Sequence, residues 1–295
     1  MKVSVCIVTY NQERYIRECL DSVVKQECTF PFEVIVADDC STDKTGQIVR
    51  EYALNYSCIK ILRRDKNIGL YKNFIDVHNH AIGEYVCHLD GDDRWLPDKL
   101  QKQVDFLDRN LEFTAVWTKA NYFDDHGNIL LGENYHFPGV PNGVVELGQA
   151  LRLGSFAVHS SIMYRATSRV TRDIDQKLLD LYYTWEYLSS GLGKILEEAL
   201  TEYRIFSTGA LTVSGNYIIR KLACEHATYY LHKDKAYKKD IFIFALFNFL
   251  FDLRMRNKTI GNFFKLMVRS CSYIEPIQLW NTYRILRLRP IQLKK

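Results

Sequence analysis

The first 109 residues alternate in a way that leaves few folds open. Short runs rich in β-branched and apolar residues are each followed by a segment with helical spacing, and several runs end in a polar or acidic cluster. Val3 to Thr9 reads as a buried strand. After it, Ile16, Cys19/Leu20 and Val23/Val24 recur at helical spacing across residues 13–25. Residues 32–37 read as a second strand, and Ser41 or Thr42 would cap a helix through Thr45, Ile48, Val49 and Tyr52. A third strand over residues 59–62 precedes a helix through Asn73, Phe74, Val77 and Ala81. A fourth strand starts at Tyr85, and Pro97 suits the first turn of a helix running to about residue 109. This alternation predicts an α/β fold: a mostly parallel central sheet flanked by helices. Residues 9–12, 38–43 and 90–93 then share the carboxyl edge, where open α/β sheets bind ligands.

Further along, residues 113–124 read as a strand that Ile129-Leu130-Leu131 returns to, with the turn between them made by Asp125-His126-Gly127-Asn128. A short helix is expected near residues 146–153, a strand over residues 157–164 and a helix over residues 179–188. After about residue 210 the alternation stops and helical patterns rich in Lys, Arg and aromatics take over. Two regions follow from this: residues 1–210 and a helical C-terminal region, residues 211–295.

The densest chemistry lies at the end of the fourth strand. In extended chain, side chains two apart point the same way, so Asp90 and Asp92 can aim at one point. Gly91 between them lets a ligand approach the backbone. Carboxylates this close repel one another unless a cation joins them. Hard cations such as Mg²⁺ or Mn²⁺ take oxygen ligands, and Mg²⁺ commonly uses one or two carboxylates together with substrate phosphates.

Charge is unevenly spread. Residues 211–295 hold 16 Lys and Arg against 5 Asp and Glu, a net +11, which leaves −7 of the overall +4 for residues 1–210. A basic appendage of this kind points to an anionic partner. Its stretches (residues 241–253, 263–269 and 280–289) mix aromatics and leucines with cations, as an interfacial helix on an anionic membrane does. The competing reading is a helical bundle packed on the rest of the chain or on a second copy in a homo-oligomer. No apolar run reaches the ~18 residues of a spanning helix. Nothing resembles a groove-reading or stacking module, so no nucleic-acid partner is expected. The eight cysteines include no Cys-x-x-Cys pair and read as small reduced residues of a cytoplasmic protein. The first residues enter a strand directly, without a signal-peptide pattern.

Four motifs in order now resemble a known family: Thr9-Tyr10-Asn11, Asp38-Asp39-x-Ser41-x-Asp43-x-Thr45, Asn67-x-Gly69-x-x-x-Asn73-Phe74 and Asp90-Gly91-Asp92-Asp93-x-Trp95-x-Pro97-Asp98-Lys99. Together they look like the signature blocks of family 2 glycosyltransferases, most closely those that build bacterial surface polysaccharides. The resemblance covers about residues 1–210. It implies a GT-A fold, a nucleotide-diphospho-sugar donor, Mg²⁺ or Mn²⁺ and inversion at the anomeric carbon. Position by position, it implies that Thr9, Asn11 and Gly91 surround the nucleotide, Asp39 and Asn67 the base, Asp90 the ribose and metal, and Asp92 the metal directly. It also implies a catalytic base at Asp180, ahead of Tyr182, Tyr183 and Trp185, with Glu186 as a rival. Leu181 stands where the family has an aromatic, and Phe206 where it often has a His.

The donor implied is a UDP-hexose or UDP-N-acetylhexosamine, with dTDP-rhamnose as the alternative. The acceptor implied is a glycan or lipid-linked saccharide, which would put the protein on the cytoplasmic membrane face. A nucleotidyltransferase is disfavoured because residues 1–24 hold no Gly-rich basic loop; a non-catalytic sugar-nucleotide-binding protein is the remaining class. Arg204 would counter phosphate charge or pair with Glu197 or Glu198. The His159-Ser160-Ser161 segment would face the acceptor or close a strand.

Overall fold

The computed structural model describes residues 1–131, 140–169, 177–205, 216–272 and 274–287. The expected division near residue 210, and Phe206 with it, lies outside the described residues. The strands β1 (Val3–Thr9), β2 (Phe32–Asp38), β3 (Ile59–Leu62) and β4 (Tyr85–Asp90) run parallel in the order β3-β2-β1-β4. The crossovers α1 (Ile16–Val24), α2 (Thr45–Asn55) and α3 (Leu70–Asn79) connect them. Period-two alternation sends β1 side chains to both faces. Val3, Val5 and Ile7 pack under α1 and the later α4 (Lys99–Arg109), while Cys6 and Val8 face α3. Each fully buried Val, Leu or Ile contributes about 1.5–3 kcal/mol, so the strand ends are held firmly in register.

Beyond β4 the sheet becomes mixed. It continues through β9 (Met163–Arg165), β6 (Phe113–Phe123), β10 (Leu192–Arg204) and the two-residue β5 (Arg94–Trp95). β7 (Ile129–Leu131) pairs with β6, and β8 (Val144–Val145) with β10. β9 is antiparallel to both neighbours, whereas β6 and β10 are parallel. Between β8 and β9 comes α5 (Leu147–Leu153), with a capping box between Glu146 and Gln149. The helix before β10 is α6 (Asp180–Leu188).

Four expectations need correction. Residues 157–164 are not one strand: residues His159–Ser161 form a 3₁₀ turn, because Ser161 Oγ turns back to the Val158 carbonyl at 2.8 Å, and only Met163–Arg165 pairs. Neither Ser41 nor Thr42 caps α2; the Asp43 carboxylate accepts from the Thr45 N–H at 2.9 Å. Pro97 lies before the first turn of α4, whose cap is Asp98 at φ 65°. The first helix starts at Ile16, three residues later than its periodicity suggested.

The C-terminal helices are α7 (Asn216–Lys233), α8 (Lys238–Met255), α9 (Ile260–Arg269) and α10 (Pro276–Arg287). They pack on α5 and α6. Asp240 pairs with Arg152 at 2.9 Å, and Trp185 meets Tyr230 and Phe244 edge-on. The apolar stretch over residues 241–253 divides: Ile241, Ile243, Phe244 and Ala245 are core, whereas Leu250, Phe251 and Leu253 are exposed. Its first half therefore follows the bundle expectation and does not face a membrane. No described helix is long and apolar enough to cross a membrane.

Candidate active site

Register brings the three polar clusters together. Thr9 is the partner of Asp38 across β1 and β2, and Val8 is the partner of Asp90 across β1 and β4. The loop after β1 is tied to the loop after β2. Asn11, at φ 51°, donates its N–H to Ser41 Oγ at 2.9 Å and accepts from the Thr42 N–H at 2.8 Å. Thr9 is buried and donates to Gln12 Oε1 at 2.8 Å.

Asp39, also buried, accepts from the N–H groups of Ile68 and Gly69, both at 2.8 Å. Exposed Asn67 accepts from the same Gly69 N–H at 3.0 Å, so the two residues expected at a base share one anchor point. Two backbone amides do not exhaust a carboxylate, which has about four lone-pair sites. Gly69 itself is at φ 86°, a conformation that glycine adopts without strain.

The acid loop packs closely on β1. A Cβ on Gly91 would lie 2.5 Å from Gln12 Oε1 and 2.9 Å from Thr9 Cβ, so only glycine fits. Asp90 and Asp92 are partly exposed, while Asp93 is buried and turned inward. Asp93 accepts from the Arg204 N–H at 2.8 Å and from the Ser160 hydroxyl. Burial and the charges of Asp92 and Asp90 push its carboxyl well above the usual range. Burial also works against ionisation of Asp90, but His88, His159 and Ser160 together hold that carboxyl below its usual value. Lys99, from the same motif, is wholly buried against Trp95 and donates to Gln103; burial pulls its ammonium down to about 8.

Asp180 opens α6, with its side chain in contact with solvent. Protein crowds it on the other sides. That crowding, with the nearby Asp90 charge, raises its carboxyl above the ordinary value against a hydrogen bond from the Leu181 N–H. Its rival Glu186 is buried on the far side of the helix, where it accepts from Tyr230 Oη and pairs with Lys233 at 3.3 Å. The structure thus brings Asp180, and not Glu186, to Asp90.

Arg204 pairs with neither Glu197 nor Glu198, which reach Lys119 and Lys102. Its guanidinium donates to the Asp92 carbonyl at 2.9 Å and to Glu18 at 3.0 Å, and lies 4.5 Å from the Tyr15 ring and 4.3 Å from the Phe123 ring. It buttresses the acid loop from behind. Ser160, whose hydroxyl also accepts from the Asp90 N–H at 3.1 Å, is the matching contact from the 3₁₀ turn. His159 packs its ring on His88 at 4.4 Å, and Phe156 to Val158 line a groove of about 60 Å³ with Lys119, Tyr122 and Ile195. Sequence reasoning missed Ser160 and His88 as supports of the loop. The available signal was a His two residues before Asp90, hence on the same face of β4.

Among the described residues no group of three or more His, Cys, Asp or Glu could hold a metal by itself. Two partly exposed hard-oxygen carboxylates at a strand end suit a cation shared with substrate phosphates.

Comparison with known proteins bears on family and fold. An uncharacterised protein of Mycobacterium tuberculosis, Rv1520, is 36% identical over 211 residues, 70% of this chain and 60% of that protein. The chain thus spans about three fifths of that relative's length. Staphylococcus aureus TarS, a poly(ribitol-phosphate) beta-N-acetylglucosaminyltransferase, is 41% identical over 114 residues, 37% of this chain and 19% of TarS. The crystal structure of TarS 1–349 in complex with UDP-GlcNAc superposes with a TM-score of 0.70 at 22% identity, covering 98% of this chain and 84% of that one. Mannosyltransferase PcManGT from Pyrobaculum calidifontis, in complex with GDP-Man and Mn²⁺, gives a TM-score of 0.64 at 17% identity, over 98% of this chain and 81% of its own. The two structural likenesses are likenesses of fold. The sequence model of glycosyl transferase family 2 matches residues 4–167, and the chain belongs to that family.

Proposed function

We propose that this chain transfers a sugar, with inversion, from a UDP-hexose or UDP-N-acetylhexosamine to a hydroxyl of a glycan or lipid-linked saccharide in surface-polysaccharide synthesis. The observation that carries the reading is the pair Asp90 and Asp92 at one strand end, with Asp180 at the start of a separate helix and within reach of the Asp90 charge. Thr9, Asn11, Asp39, Asn67 and Gly91 line the edge where the nucleotide would lie. Asp92 and Asp90 would hold Mg²⁺ or Mn²⁺. Such a cation, when bound, neutralises the charge that builds on a departing diphosphate.

The protein's own part is positional and acid–base. The acceptor oxygen bonds to the anomeric carbon as the bond from that carbon to the diphosphate breaks, and Asp180 takes the hydroxyl proton. A carboxyl raised by crowding is the stronger base for this step. Both structural neighbours hold sugar nucleotides, UDP-GlcNAc in TarS and GDP-Man in PcManGT; the first favours a UDP donor. The decisive experiment is a panel of UDP, GDP and dTDP sugars with Mn²⁺, read by mass spectrometry of released nucleotide and of product. Turnover with none of them would sink the proposal.

A second reading, that the chain docks on an anionic membrane, has its own observation. Leu253, Met255, Phe264, Val268, Ile277 and Trp280 are exposed on three successive helices. Arg254, Arg256, Lys258, Lys265 and Arg269 are exposed among them. Apolar side chains that can sink, next to cations, suit anionic headgroups at about 1 kcal/mol per cation.

A further inference from the structure

The Asp90 carboxylate is approached from the interior as well as from the cleft. His88 Nε2 lies 3.1 Å from Asp90 Oδ1, and His88 Nδ1 lies 3.1 Å from His78 Nε2. His78 Nδ1 lies 2.7 Å from Tyr164 Oη. Three elements meet here: β4 supplies Asp90 and His88, α3 supplies His78, and β9 supplies Tyr164. His88, His78 and Tyr164 are at most 4% exposed. Phe74, one turn before His78, stacks on its ring at 4.2 Å and lies 4.8 Å from the ring of His88. Tyr187 stacks on Tyr164 at 4.1 Å.

Counting protons fixes the direction of this row. An ionised carboxylate only accepts, so His88 Nε2 carries a hydrogen. In a neutral imidazole the other nitrogen is then a bare acceptor, and His78 Nε2 must donate to it. That leaves His78 Nδ1 bare, and the Tyr164 hydroxyl must donate to it. The reverse arrangement would set a bare imidazole nitrogen against a carboxylate, and a protonated His88 would turn the two inner bonds around. Burial, ahead of its neighbours, drives His78 well below its usual range. With both rings neutral, every donor points toward Asp90.

We infer that Tyr164, His78 and His88 are positioning residues that deliver one fixed N–H to Asp90 and hold its carboxylate in a single orientation for the donor and its cation. The inference rests on the reading of Asp90 as part of the donor site. Partners that orient a metal-binding carboxylate typically change metal affinity by about 10–100-fold when removed. No contact in this row is with the substrate, so its effect passes entirely through Asp90.

Two measurements on the full chain test it. Long-range ¹⁵N–¹H correlation spectra report histidine tautomers directly, and both His78 and His88 should be Nε2–H at neutral pH. An Nδ1–H tautomer at either would overturn the row. Calorimetric titration of UDP with and without Mn²⁺ reads the consequence. His88→Phe keeps a ring in place and should weaken the Mn²⁺ contribution by about 10–100-fold, more than it weakens metal-free UDP binding. Tyr164→Phe removes one oxygen, keeps the stack on Tyr187, and should release His78 into mixed tautomers with a smaller loss of Mn²⁺ affinity. Parental Mn²⁺ affinity in both variants would refute the positioning role. A parent that binds no UDP would fell the donor reading instead, while the tautomers would still decide whether the row exists.

Discussion

Arg204→Met tests how the acid loop is held. Methionine keeps the length and apolar stem but removes every side-chain donor; the Arg204 N–H to Asp93, a backbone contact, survives. The Asp92 carbonyl, which accepts from Nε at 2.9 Å, loses its partner at a cost of about 1–3 kcal/mol. The cation lodged between the Tyr15 and Phe123 rings adds about 0.5–2 kcal/mol. Glu18 is half exposed, so its pairing is worth at most about 1 kcal/mol. These contributions share one guanidinium and do not simply add, which puts the expected loss at about 2–4 kcal/mol. Urea unfolding followed by circular dichroism should show a lower midpoint with an unchanged slope. Affinity for UDP with Mn²⁺ should fall as well, because the Asp92 backbone is no longer fixed. Stability within about 0.5 kcal/mol of the parent would refute the energetic argument. A destabilised variant with full donor affinity would refute the claim that Arg204 positions the loop.

Other predictions concern the cleft and the C-terminal helices. Asp180→Asn should keep UDP affinity and lose about 10²–10⁴ in turnover, since an amide cannot take the hydroxyl proton; survival of turnover within a few-fold would move the base elsewhere. A base acts only when ionised, and crowding by protein raises Asp180, so the parent's kcat should fall as pH drops through a value above the ordinary aspartate range. A limb at or below that range would contradict the raised carboxyl. Asp92→Ala should abolish metal-dependent turnover while leaving the circular dichroism spectrum intact, and full parental turnover in excess chelator would remove the metal from the scheme. Asp39→Ala should weaken UDP binding more than Mn²⁺ binding and loosen the loop at Ile68 and Gly69, read by hydrogen exchange at those two amides. The full chain should co-sediment with anionic liposomes at low salt and less with neutral ones; indifference to both would leave the exposed apolar face to a protein partner.

Much of the parallel half was legible because each strand there is a short apolar run that the chain enters and leaves cleanly. Residues from Val3 to Thr9 are all buried, so periodicity and burial say the same thing. β10 was not legible, because Lys194, Glu197, Glu198 and Glu202 interrupt its apolar residues and its register with β6 shifts at Leu196 and Ala199. Residues 157–164 misled in the opposite direction: they are apolar enough for a strand, but Ser160 and Ser161 spend their hydroxyls on the acid loop and on Val158. The Arg204 pairing was misjudged since Glu197 and Glu198 are near in sequence, while Glu18 is 186 residues away. Asp39, Asn67, Asp90 and Asp180 are candidates that the motif pattern alone singles out; that Asp93 turns inward depends on Ser160 and Arg204, which no local pattern reveals.

The place of β10 also bears on the order in which the molecule is made. β10 comes late in the chain, yet it lies inside the sheet, between β6 and β5. The acid loop is latched to it by the bond from the Arg204 N–H to Asp93, across 111 residues. Pairings of such long separation form slowly, because the intervening chain must be closed first. As the chain emerges from a ribosome, the parallel half is complete by residue 90, but the loop carrying Asp90 and Asp92 waits for more than a hundred further residues before it is locked. Stalled nascent chains of increasing length, probed with UDP and Mn²⁺, should gain binding only once Arg204 has left the exit tunnel; binding by a chain stalled with Arg204 still inside would show that the latch is dispensable.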